Sequence, residues 1–308
     1  MLKPGRRAVR AKLPDLLANG RPILADGAMG TMLFSMGLEQ GGSPESWNLE
    51  HPDRVRSVHR GYIEAGSQII MTNSFGANRE RLALHDLSAR AREINLAAAH
   101  LARAEADAAP RLVVVAGDIG PTGSILAPLG ELSFEDAKSA FLEQANALVE
   151  GGIDLFWIET MYDLEEARAA VEASRSAAPD LPIIATMTFD TAGHTMMGVS
   201  PERAVSALQE LGVEALGGNC GNGPGEIEGV LRSMQAPEQD VRIASKSNAG
   251  IPHLVGGEAV YDATPDLMAE HAIQARNLGA QIIGACCGST PEHIRAMAAA
   301  LDGEEGPA

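Results

Sequence analysis

The 308-residue chain has three cysteines, and they are unevenly placed. Cys286 and Cys287 are adjacent, inside Gly284-Ala285-Cys286-Cys287-Gly288-Ser289-Thr290, just after the apolar run Ala280-Gln281-Ile282-Ile283. Cys220 lies in Gly217-Gly218-Asn219-Cys220-Gly221-Asn222-Gly223-Pro224. Every thiol therefore stands where a strand-like run enters a glycine-rich turn. Three thiolates are the protein ligands that a catalytic zinc ion can take while keeping its fourth position open. The spacing is not that of a zinc finger, since the chain has no Cys-x-x-Cys. Neighbouring cysteines can share one metal only where the backbone turns sharply, and Gly284 and Gly288 flank the pair. Spacing alone leaves two other readings open: three structural cysteines filling a core, or a vicinal disulfide between Cys286 and Cys287.

A zinc ion with three thiolates carries net negative charge. It is then a poor Lewis acid for water, but it can hold a substrate thiol as the thiolate, the form that attacks carbon. That points to alkylation of a thiol at a methyl group rather than to hydrolysis.

The elements that must position these residues follow one repeated pattern. Short apolar runs at 22–25, 68–71, 112–116, 154–158, 182–187, 214–218, 241–244 and 281–285 each end in a polar or glycine-rich turn. Most are continuous rather than alternating, as strands buried on both faces should be. Amphipathic stretches at 53–65, 88–106, 133–150, 163–177, 201–211, 224–234, 265–278 and 291–301 fill the gaps. Ser200-Pro201, Thr264-Pro265 and Thr290-Pro291 read as a capping residue followed by proline at the first helical position. Eight such units predict an α/β fold, a single (β/α)8 (TIM) barrel with short extensions at 1–18 and 303–308. The competing architecture is an open doubly wound sheet, but no Gly-x-Gly-x-x-Gly fingerprint is present.

Function in such a barrel sits at the C-terminal strand ends. Those ends carry Asp26, Asn73, Asp118, Glu159, Asp190, Asn219, Cys220, Lys246, Asn248, Cys286 and Cys287. Asp26 and Glu159 are suited to receive an ammonium, and Gly27, Ala28 and Gly30 offer backbone N–H groups to a carboxylate. Lys246 reads either as a Schiff-base lysine or as a rim salt-bridge partner. The net charge of −17 argues against a nucleic-acid partner. No apolar run approaches the roughly 20 residues of a membrane span, and the basic 1–12 segment has no apolar stretch behind it to make a secretory signal. The reading is a cytoplasmic protein.

Asp26-Gly27-Ala28-Met29-Gly30-Thr31, Gly218-Asn219-Cys220 and Gly284-Ala285-Cys286-Cys287-Gly288 together resemble the homocysteine S-methyltransferase family. The resemblance runs from about 21 to 301 and implies one homocysteine-binding barrel domain across 1–308. It implies Zn2+ on Cys220, Cys286 and Cys287, with these three as the catalytic centre. It implies Asp26, Gly27 and Glu159 around the amino-acid group of homocysteine, with Asn248 beside the substrate, and methionine as product. The methyl donor it implies is a small onium compound such as betaine or S-methylmethionine. The alternative is a homocysteine-activating subunit methylated by a separate corrinoid protein. A lysine-dependent lyase built on Lys246 is the remote alternative. Aromatics are 4% of the chain, few for a cage around a quaternary ammonium. Trp47, Phe75 and Tyr162 are the candidates for one.

Overall fold

A computed structural model describes residues 13–303 apart from 19, 191, 236–241 and 256–257. The strands are β1 (Ile23–Leu24), β2 (Ile69–Met71), β3 (Val114–Ile119), β4 (Leu155–Met161), β5 (Ile183–Met187), β6 (Ala215–Cys220), β7 (Arg242–Ser247), β8 (His253–Val255), β9 (Glu258–Val260) and β10 (Ala280–Ala285). Eight of them form one parallel sheet in the order β1-β10-β7-β6-β5-β4-β3-β2. A parallel bridge between Ala25 and Ile69 joins the two ends, so the sheet curls into a barrel. The barrel expected from eight strand–helix units is therefore present, and the open sheet is not. The antiparallel hairpin of β8 and β9 is an insertion behind β7 that the apolar pattern did not announce.

Strand parity divides the core in two. Side chains facing inward form one cluster that includes Ile69, Val114, Ala116, Leu155, Trp157, Ile184 and Ala244. The opposite faces, among them Ile70, Val115, Phe156 and Ile158, pack against the surrounding helices. This two-sided burial explains why the strands read as continuous apolar runs. The helix Pro52–Ala65 shows the complementary logic, burying Val55, Val58, His59, Tyr62 and Ile63 at helical spacing.

Two of the three expected caps form as side-chain acceptors. Ser200 Oγ accepts from Arg203 N–H and Thr264 Oγ1 from Leu267 N–H. At Thr290 the side chain of His293 reaches back instead, its Nδ1 lying 3.1 Å from Thr290 N. The N-terminal segment expected outside the barrel needs correction. Leu13 and Leu16, on the helix Leu13–Leu17, are buried among the inward-facing residues and close the floor of the barrel. The remainder of the two expected extensions, 1–12 and 304–308, lies outside the described residues.

His59 sits fully buried on this scaffold with both ring nitrogens unpartnered. Burial lowers its pKa to about 4, and Glu105 opposes this only weakly. The unfolded chain then binds a proton near pH 6.5 that the folded chain refuses, so stability falls as pH drops from that value towards 4. The loss amounts to about 3 kcal/mol at pH 4. Urea melts between pH 7 and 4 should show this slope in the wild type, and the same slope should be shallower in His59→Leu.

Candidate metal and thiol site

The site lies at the C-terminal mouth of the barrel. β6 and β10 flank β7 in the sheet, so their ends approach over a single intervening strand. Cys220 closes β6, and Cys286 follows β10 directly. The Sγ atoms of Cys220, Cys286 and Cys287 all lie within 4.8 Å of one another. Cys220 and Cys286 are 3.0 Å apart at sulfur. All three are free thiols, which removes the vicinal disulfide, and their convergence removes the reading as scattered core fillers.

The local backbone is shaped for this meeting. Cys220 has φ 61° and Thr160 has φ 60°, both in the left-handed region. That conformation costs a non-glycine residue about 1–2 kcal/mol and concentrates at functional sites. Asn219 stabilises the pair. Its Oδ1 accepts from Thr160 N–H at 2.8 Å, and its Nδ2 donates to Thr160 Oγ1 at 2.7 Å and to Cys220 Sγ at 3.2 Å. Across the site, Cys286 N–H donates to Ser247 O and Ala249 N–H to Cys287 O, tying the vicinal pair to β7 and the loop after it.

The flanking glycines have different roles from the shared one expected. Gly288, φ 81°, makes the turn, and a Cβ there would lie 2.1 Å from the Tyr261 ring. Gly284 stays within β10, where a Cβ would meet Ala25, Asp26 O and the Lys246 side chain. It provides room rather than a turn.

The donor set suits a soft divalent cation. Hydrogen bonds from Cys220 and Cys286 draw the Cys287 thiol well below its usual pKa, against its burial. Cys220 is raised by its hydrogen bonds to the other two sulfurs and by burial. For Cys286 the bond with Cys220 pulls down, but the bond to Cys287, burial and the Cys287 charge outweigh it and push the thiol up to about 12. Three thiolates this close repel one another, and a cation on the sulfurs would relieve that repulsion and let all three ionise. Tetrahedral zinc at about 2.3 Å from each sulfur would hold them roughly 3.8 Å apart, which the observed cluster accommodates with small movements.

The remaining rim residues separate clearly. Asp26, Asp118, Glu159, Asn219, Lys246 and Asn248 are all buried around the mouth. Asp190 is exposed. Asn73 is buried, but its amide is engaged by Pro44 O and Asn48 Oδ1. Gly27 is required by packing, because a Cβ there would lie 2.4 Å from Ser289 Oγ. The same hydroxyl accepts the Ala28 N–H, so that donor is not free for a substrate carboxylate. Asn248 donates to Gly221 O while its buried Oδ1 has no partner.

Lys246 is not on the rim. It is 3% exposed and crosses the barrel interior, with Nζ 3.2 Å from Asp26 Oδ1 and 4.0 Å from Glu159 Oε2. The Trp157 ring lies 5.2 Å from the same nitrogen. Burial lowers its pKa, but Asp26 and Glu159 outweigh burial and hold it above the usual lysine value. An amine held as an ammonium against two carboxylates is poorly suited to Schiff-base attack, which disfavours the lyase reading. The sequence gives no signal for Ser289 or Tyr261, and at Thr160 it shows only that no aromatic stands there. Thr160 and Tyr261 become site residues only through contacts with distant cysteines.

The candidate aromatic cage is not assembled as expected. Trp47 is buried, with His51 against one ring and the Arg54 guanidinium 4.9 Å from its centroid. Arg81 covers Phe75. Tyr162 alone lines a rim cavity, together with Ile125, Glu166, Met196 and Met197.

Fold and site thus define a parallel (β/α)8 barrel with a three-cysteine, metal-competent mouth. The sequence profile described as homocysteine S-methyltransferase matches residues 23–301, and the chain belongs to that family. It is 35% identical over 305 residues to a methionine synthase of Mycobacterium tuberculosis, covering 94% of this chain and 25% of that protein. With a Mycobacterium leprae methionine synthase the identity is 34% over 297 residues, covering 91% and 24%. The chain therefore spans about a quarter of the length of the curated relatives it matches. Among solved structures it is similar to the metallated form of the Escherichia coli homocysteine methyltransferase MmuM. The TM-score is 0.79 and the identity 27%, over 93% of this chain and 99% of that one. No helix among the described residues is long and apolar enough to cross a membrane.

The turn predicts a contrast between two glycines. Gly288→Ala should lower the melting temperature and loosen the cysteine pair, because it adds left-handed strain and a clash with Tyr261. Gly229→Ala, in the helix Pro224–Met234 with nothing within 4 Å, should raise stability by about 0.5–1 kcal/mol. Thermal melts of the two variants check both directions.

Proposed function

We propose that this protein transfers a methyl group to the sulfur of homocysteine, forming methionine, with a zinc ion held by Cys220, Cys286 and Cys287. The observation that carries the reading is the meeting of three sulfurs within 4.8 Å at the barrel mouth of a chain in this family. When bound, zinc supplies a divalent charge that lets a thiol lose its proton while the protein sulfurs keep the centre electron-rich. Asn219 holds Cys220 in place through its amide. Glu159 offers a carboxylate to the substrate ammonium, and Asn248 offers its unpartnered Oδ1 beside it. Asp26 acts from behind by fixing Lys246 and accepting the Met71 N–H, while Gly27 lets Ser289 close the turn. Residues 21–301 would then act as one homocysteine-binding unit in a cytoplasmic enzyme.

For the donor, the cavity bearing Tyr162 and Glu166 supports a small onium compound, since it joins an aromatic ring to an acid at the rim. A second reading draws on the similarity to methionine synthases over nearly the whole chain. In that case the methyl arrives on a separate corrinoid protein.

Replacing Cys220, Cys286 or Cys287 singly by Ala should abolish stoichiometric zinc and cut activity by more than about 100-fold, beyond the usual effect of losing an outer-shell partner. Circular dichroism should stay that of the folded barrel. Full zinc retention in the triple variant would sink the assignment. Product assays with betaine, S-methylmethionine, dimethylsulfoniopropionate, methylcobalamin and a methylated corrinoid protein decide the donor. Turnover confined to the corrinoid protein would eliminate the onium reading.

A further inference from the structure

The inward-facing layer at the mouth carries more acid than base. Asp118 follows Val114 and Ala116 in parity on β3, and Glu159 follows Leu155 and Trp157 on β4. The two strands are paired with Asp118 opposite Trp157, so the two carboxyls lie one step apart on neighbouring strands. Asp26 completes an acidic trio, and Lys246 is the cation set against it.

That cation is already committed. Lys246 Nζ sits on Asp26 Oδ1, and the other Asp26 oxygen accepts the Met71 N–H at 2.8 Å. Both oxygens of Asp26 are thereby used. Glu159 Oε2, 4.0 Å from the same Nζ and beyond hydrogen-bond reach of it, and Asp118 Oδ1 have no hydrogen-bond partner among the described residues, although their residues are only 7% and 6% exposed. A buried carboxylate oxygen without a donor is costly. Two adjacent ones define a place for one more cation with N–H donors. Burial, in concert with the neighbouring carboxylate for Asp118, raises both groups above their ordinary values, Glu159 to about 8, as expected of a site short of one positive charge.

We propose that the ammonium of the thiol acceptor is held between Glu159 and Asp118, and that Lys246 permanently fills the place at Asp26. Asp118 is thereby a substrate-binding residue and Lys246 a positioning one. With the substrate in place, Lys246 stands against Asp26 and the acceptor ammonium is shared by the other two carboxyls. The acceptor class is an α-amino acid with a side-chain thiol, and the proposal rests on the homocysteine reading above.

Calorimetry on the zinc-loaded protein tests it, with homocysteine and its des-amino analogue 4-sulfanylbutanoate as probes. Asp118→Asn should weaken homocysteine by about 10- to 100-fold, the range for a hydrogen bond to a charged group. Binding of the des-amino analogue and zinc content should not change. Unchanged homocysteine affinity in a folded Asp118→Asn protein overturns the proposal alone. Wild-type protein that holds zinc but binds homocysteine no better than the des-amino analogue overturns the proposal. If it binds neither thiol, the methyltransferase reading falls too. A crystal structure of the wild-type zinc–homocysteine complex gives an arm independent of any variant. The amino nitrogen should lie within hydrogen-bond distance of Asp118 and Glu159 with Lys246 still on Asp26. An amino nitrogen on Asp26, with Lys246 displaced, refutes the assignment.

Discussion

Compensation of buried charge governs the mouth of this barrel. Three sulfurs crowded within 4.8 Å cannot all be anions unless a cation joins them. Beside them, Asp26, Asp118 and Glu159 are buried, and among the described residues Lys246 is the cation set against them. In a low-dielectric interior each uncompensated charge is expensive. The site is thus built with negative charge in excess, and its ligands are the species that relieve it. A soft divalent ion suits the sulfurs, and an ammonium suits the carboxyls.

The scaffold makes that arrangement possible by stiffness. Each strand of the parallel sheet is fixed in register by its neighbours, and the Ala25–Ile69 bridge joins the ends of the order. A closed sheet leaves little freedom for a strand end to relax away from an unfavourable contact. Strained backbone at Cys220 and Thr160 can persist because Asn219 bonds both residues and is itself fully buried. The same rigidity keeps Lys246 extended across the interior, where Gly284 leaves space for its chain.

The chain matches 99% of a solved homocysteine methyltransferase barrel and about one quarter of much longer methionine synthases. On the proposed reading, the acceptor half of the chemistry would be carried by the mouth. A small onium donor would then sit at the rim over β3 to β5, where the cavity beside Tyr162 and Glu166 opens. Trp47 and Phe75 are bound up with His51, Arg54 and Arg81 and offer no clear cage face.

Much of this was legible from residue order. Eight continuous apolar runs alternating with amphipathic stretches dictate a parallel barrel, because periodicity is a local property of the chain. Cysteines placed at two strand ends that lie two apart in such a barrel point to one metal centre. What order alone left undecided was direction and pairing. Asp190 and Asp118 read alike as acidic strand ends, yet one faces solvent and the other the interior. Lys246 read as a rim residue, and only strand parity with Ala244 sends it across the barrel to Asp26. The Leu13–Leu17 helix read as an appendage, and only the closed sheet offers it a floor to seal. Each outcome depends on contacts between residues far apart in sequence, set when the sheet closes and fixes which faces meet.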